Sequence, residues 1–166
     1  MLQDTARIAL ISLTLLGLAA CSEKEPTDAE AIAAVNAAQD GKPPVKPLDP
    51  QPIHYPDIKG HKLHGTGCAF VATGGGLGAV LLAQDERGII KLNGEVVILA
   101  PDTGSAKMPK GSWSRYTGKA NALTLTATGP VTAVGGAEEF DGKVVITDAF
   151  ERRVYEAGGH AQCKAI

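Results

Sequence analysis

Apolar residues along this chain fall into three regimes. Residues 8–20 form one apolar run, broken only by Ser12, Thr14 and Gly17. Residues 22–57 lack a sustained pattern and hold seven of the ten prolines. From residue 58 onward, short apolar and β-branched runs alternate with Gly- and Asp-rich breaks, the pattern of strands joined by turns. Candidate strands cover residues 67–72, 79–83, 89–92 and 95–99. The last two flank Asn93-Gly94, which predicts a type I′ hairpin because both central residues of that turn take positive φ. Gly74-Gly75-Gly76 reads as a flexible loop and residues 85–88 as a turn.

Beyond a polar loop at 101–112, residues 121–128 alternate. Leu123 and Leu125 fall on one face, Thr124 and Thr126 on the other, as in a half-buried antiparallel strand. A second hairpin is expected at Asp141-Gly142, leading into Val144, Val145 and Ile146. A last pair turns near Glu151 into Val154 and Tyr155. Roughly seven to nine short strands at this spacing predict a mainly β domain over residues 58–166, a small antiparallel β-barrel or sandwich. Ahead of it, Thr27-Asp28-Ala29-Glu30 has the arrangement of a capping box. The alanine-rich stretch to Gln39 predicts a short helix stopped at Gly41, burying little because its apolar side is mostly alanine. The prolines of residues 42–56 favour an extended spacer of about 3.1 Å per residue. Residues 21–57 thus read as a disordered or partly helical tether.

The run at 8–20 is too short to span the roughly 30 Å hydrocarbon core as a helix. With Arg7 ahead of it, it has the length and flanks of the apolar region of a signal peptide. It ends in Leu18-Ala19-Ala20-Cys21, which resembles the lipobox of bacterial lipoproteins. That resemblance implies cleavage before Cys21, loss of residues 1–20, and a diacylglycerol on the Cys21 thiol. Stable anchoring needs two or more acyl chains such as palmitate, since each buried methylene contributes only about 0.8 kcal/mol. Ser22 stands where enterobacterial lipoproteins retained at the inner membrane carry Asp. The resemblance therefore implies the outer membrane, with the domain facing the periplasm and a protein of the envelope as its partner.

Composition narrows the chemistry. The formal net charge is −2 and no basic stripe is present, which excludes a nucleic-acid partner whose phosphates need neutralising. Aromatic residues make up 4% of the chain, so platforms for stacking bases or sugars are scarce. With Cys21 acylated, Cys68 and Cys163 remain as an even pair in an oxidising compartment, and the expectation is a disulfide clamping the first and last strands. It closes a loop of 95 residues, for which chain entropy gives an upper bound of roughly 4–5 kcal/mol.

If those cysteines are neighbours, His64 and His160 could complete a tetrahedral zinc set, or one histidine could activate a thiolate. Both schemes need free thiols, which the disulfide removes. No metal, no cofactor and no enzymatic activity are therefore expected. The stretch Ser112-Trp113-Ser114-Arg115-Tyr116-Thr117-Gly118 resembles the Ser-Gly-Ala-Arg-Tyr segment of the membrane-bound inhibitors of C-type lysozyme. These are small β-barrel lipoproteins with a disulfide joining the two ends of the barrel. The resemblance implies a partner-binding loop of Ser112, Trp113, Arg115 and Tyr116, with Ser112 as the inhibitory serine. The chain departs from that family at Thr128-Gly129, where a lysine precedes the glycine, and in the long segment that follows before Cys163. Three functions follow: a binding or structural module, an inhibitor of a wall hydrolase, or a His/Cys metal or redox protein.

Overall fold

The structure, a computed structural model, describes residues 27–166. The signal peptide and the lipidated Cys21 expected from the sequence lie outside the described residues. The chain divides at Lys42 into a helical unit and a β unit. In the first, helix α1 (Asp28–Asp40) starts as its sequence requires. The Thr27 N–H donates to Glu30 Oε2 at 2.8 Å and the Glu30 N–H donates back to Thr27 Oγ1 at 3.4 Å, satisfying two otherwise unpaired donors of the first turn. The bond from the Thr27 N–H, with a second from the Thr27 hydroxyl at 2.9 Å, holds the Glu30 carboxyl below its ordinary pKa. The side chains of residues 28–38 are all exposed.

The second unit is a closed antiparallel barrel. Its strands are β1 (Thr66–Ala72), β2 (Leu81–Gln84), β3 (Gly88–Leu92), β4 (Glu95–Pro101), β5 (Arg115–Thr117), β6 (Asn121–Ala127), β7 (Thr132–Val134), β8 (Ala137–Asp148) and β9 (Arg153–Ala165). Neighbours pair in the order β6-β5-β4-β3-β2-β1-β9-β8, and a β6–β8 ladder closes the ring at eight strands. β7 is an extra strand on the first residues of β8. Full closure leaves the eight strands without edges, the usual liability of an open sheet. Barrel and sandwich share one sequence pattern; the β6–β8 pairing decides for the barrel.

Alternation along each strand sends one row of side chains inward. On β1, Cys68 and Phe70 face the interior, where Phe140, Tyr116, Leu81, Leu99, Leu123 and Ile146 meet them with almost no exposure. An eight-stranded barrel is just wide enough for such side chains to fill it. Cys68 and Cys163 lie directly opposite each other in the β1–β9 ladder and are joined by the expected disulfide.

The proline-rich stretch is more than a spacer, because its latter part lies on the barrel. The Leu48 N–H donates to Val154 O, Gln51 to Lys91 O and Ile53 to Ala79 O, all within 2.9 Å. Helix α2 (Tyr55–Gly60) follows, with Lys91 bound to Asp57 at 2.8 Å. This strap covers the outer face of β2 and β3. Ile53 and Leu63 bury themselves against Leu82 and Ile89 to form a second, smaller core. Each fully buried aliphatic side chain contributes about 1.5–3 kcal/mol. Prolines fit a strap that bridges to the sheet at isolated points, since few of its N–H groups are needed for a ladder.

The Asn93-Gly94 turn forms as expected, with φ of 52° and 83°. The hairpin expected at Asp141-Gly142 does not form. Both residues sit inside the continuous strand β8, and the turn is at Gly135-Gly136, whose φ values are 55° and 85°. Gly142 serves close approach instead. A Cβ there would lie 2.8 Å from Thr126 O across the β6–β8 ladder and 3.1 Å from the Phe140 ring. The short strands β5 and β7 carry too few residues to show a period in the sequence.

Two outcomes test this architecture. Replacing Gly142 by Val should lower stability by about 1–3 kcal/mol, as overpacking does; an unchanged denaturation midpoint would mean that β6 and β8 stand further apart. Reducing the disulfide, or the Cys68→Ser/Cys163→Ser pair, should cost roughly 2–5 kcal/mol in urea unfolding.

Candidate functional site

The residues expected to meet a partner divide between interior and surface. Ser112 is buried: its hydroxyl donates to Pro109 O at 2.8 Å and lies 3.3 Å from Cys68 Sγ. Tyr116 is also buried. Its hydroxyl donates to Gln84 O at 2.6 Å and accepts from the Trp113 N–H at 2.9 Å. Trp113 and Arg115 are half-exposed and partnered. The Trp113 indole N–H donates to Asp85 O at 3.1 Å with Lys107 Nζ 3.5 Å from the ring centroid, and Arg115 reaches Asp102 at 3.8 Å. Two of the four side chains of the implied partner-binding loop, Ser112 and Tyr116, thus lie inside the fold. Ser112 and Tyr116 tie the β4–β5 connection across the barrel end, and they do so because a buried hydroxyl must find a partner.

The histidines are likewise redistributed. Cys68 opposes Cys163, so in an antiparallel pair His64 and His160, each N-terminal to its cysteine, run away from one another. His64 falls beside Ile166, its Nδ1–H donating to that carbonyl at 3.3 Å, while His160 pairs with Val71. Seven residue positions separate their levels, roughly 23 Å at 3.3 Å per residue. With the thiols joined and the histidines apart, the four side chains of the alternative zinc or redox set are not brought together, and no cluster of three or more metal-binding side chains occurs among the described residues.

What the fold builds instead is a groove on the outer face of β1, a cleft of about 340 Å³. Its floor is Ala69 and Val71, the small side chains that β1 turns outward when Cys68 and Phe70 turn in. One wall is the strap, with Ile53 and Ile58. The opposite wall is β9, presenting His160 and Gln162. Two large apolar side chains stand at the rim: Leu77, fully exposed in the glycine-rich loop, and Tyr55, 67% exposed. Gln162 donates to Glu139 Oε1 at 2.6 Å, and His160 lies 3.2 Å from Asp141 and 3.5 Å from Glu139. In the sequence, the one trace of this wall is the spacing of Ile53, Ile58 and Leu63, five residues apart, a period of neither helix nor strand.

Burial pushes the Tyr116 phenol up to about 12, its bond from Trp113 opposing this only in part, and burial also raises Tyr155. A phenol whose folded pKa exceeds its unfolded value of about 10 favours folding while protonated. That stability should be complete below about pH 10 and be lost as pH rises from there to about 12. Ultraviolet titration should find Tyr116 ionising only with unfolding; Tyr116→Phe, which leaves Gln84 O and the Trp113 N–H unpaired, should lower stability by about 1–3 kcal/mol.

Comparison of the chain with protein-family models, with curated proteins and with solved structures finds no match, so the groove and the barrel stand on their own geometry.

Proposed function

We propose that this chain is an envelope lipoprotein, held by acyl chains on Cys21 at the periplasmic face of the outer membrane, whose barrel works as a non-enzymatic binding module through its outer surface. The observation that carries this role is the contrast between the two faces of β1. Inside, the barrel is filled by Phe70, Phe140 and Tyr116 and clamped by the disulfide, leaving its interior to packing. Outside, the same strand floors an apolar groove rimmed by exposed Leu77 and Tyr55. Exposed apolar side chains gathered beside a concave surface mark interaction sites.

The lipobox supports the anchor, and the chain before the barrel suits it. Cys21 and Pro43 are 22 residues apart, and α1 alone spans about 20 Å at 1.5 Å per residue. The disulfide accords with an oxidising compartment. Inhibition of a wall hydrolase shares the barrel and the clamp but needs Ser112 on an open loop, whereas Ser112 is buried.

Cells expressing the full chain should incorporate labelled palmitate and carry the protein in the outer-membrane fraction. Cys21→Ser should abolish the label and release the chain from membranes. Label retained in that variant, or a soluble wild-type chain, would remove the anchoring role.

A further inference from the structure

We propose that the β1 groove takes an extended polypeptide segment whose side chains alternate between apolar and basic. This rests on the outer-surface role proposed above and names its partner chemistry. The two walls of the groove are chemically unlike. The strap wall is apolar through Ile53 and Ile58. The β9 wall is polar, and the register places acidic side chains of β8 directly behind it, with Asp141 opposite His160 and Glu139 opposite Gln162.

Those two carboxylates lack a permanent counter-cation among the described residues. Among the described residues, the only ion-pair partner of either is His160. Neighbouring cations are engaged elsewhere: Lys143 with Glu156 and Lys110 with Glu138, each at 3.4 Å. Lys164, the next outward residue of β9 beyond Gln162, marks where the acidic wall ends. The Asp141 side chain is 80% exposed, so a basic group can reach it without displacing structure.

An extended chain sends successive side chains to opposite sides. Laid along the floor of Ala69 and Val71, it meets both walls at once only if one row is apolar and the other basic. The small floor residues let its backbone approach, and Leu77 and Tyr55 can close over the apolar row. A segment of six residues spans roughly 20 Å, about the length of β1. An acidic segment would face Glu139 and Asp141 with like charge, which gives the groove its sign selectivity.

The test uses the chain from Ser22, which retains every described residue, labelled with nitrogen-15. It is titrated with acetylated hexapeptides alternating Leu with Lys, with Ser or with Glu. The Leu/Lys peptide should shift resonances of β1, β9 and α2. Its affinity should fall at least tenfold in Glu139→Gln/Asp141→Asn and in the exposed-site variant Asp141→Lys, and in Val71→Trp, which fills the floor. The Leu/Glu peptide should not bind. Equal binding of the Leu/Ser and Leu/Glu peptides in the same groove would overturn the basic-segment assignment while leaving groove binding intact. Shifts confined to other surfaces, or none with any peptide, would overturn both the assignment and the outer-surface role.

Discussion

Pairing of β1 with β9, in a register that sets Cys68 opposite Cys163, turns an antiparallel meander into a ring. Strands joined by short turns bring their neighbours together almost automatically, but β1 and β9 are separated by most of the domain. Their meeting carries the largest loop-closure cost in the fold. The disulfide lowers that cost by restricting the unfolded chain. The β6–β8 ladder and the inward rows of Phe70, Phe140 and Tyr116 then complete a ring whose interior is solid.

Closure also determines where binding can occur. A ring of eight strands leaves its middle to packed side chains and removes the free edges on which an open sheet could add a strand. Surface relief is left to the outer face, where the strap makes it uneven. By covering β2 and β3 with Ile53 and Leu63 but not the stretch of β9 that carries His160 and Gln162, it leaves β1 as the floor of a groove. The same segment therefore supplies a second core and one wall of the candidate site.

The polar groups follow from this geometry. Ser112, Tyr116 and Gln84 lie at the barrel end where the β4–β5 connection folds over the disulfide, and each buried hydroxyl or amide there has a partner. Gln84 Nε2 donates to Leu63 O at 2.7 Å, and Arg87 holds Gln84 while reaching the Lys62 and His64 carbonyls, so the network also fastens the end of the strap to β2. These are tasks of support. The half-exposed groups over the groove, His160 and Gln162, are held from behind by acidic side chains of β8.

Local chemistry by itself determined the features that depend on neighbouring residues: the α1 cap at Thr27 and Glu30, the Asn93-Gly94 turn, the alternation of Leu123 and Leu125, and the parity that leaves Cys68 with Cys163. Each is legible because its physical requirement is met within a few residues, or by counting thiols. Tertiary structure alone decided the rest. Asp141-Gly142 has the residues of a turn but runs straight, because Gly142 is needed where β6 crosses near Phe140. Ser112 looks like a surface loop residue but is buried beneath the loop fold. His64 and His160 are near cysteines in sequence, yet antiparallel pairing carries them apart. The groove was least legible of all, since its floor, its strap wall and its acidic side come from segments that meet only when the ring closes.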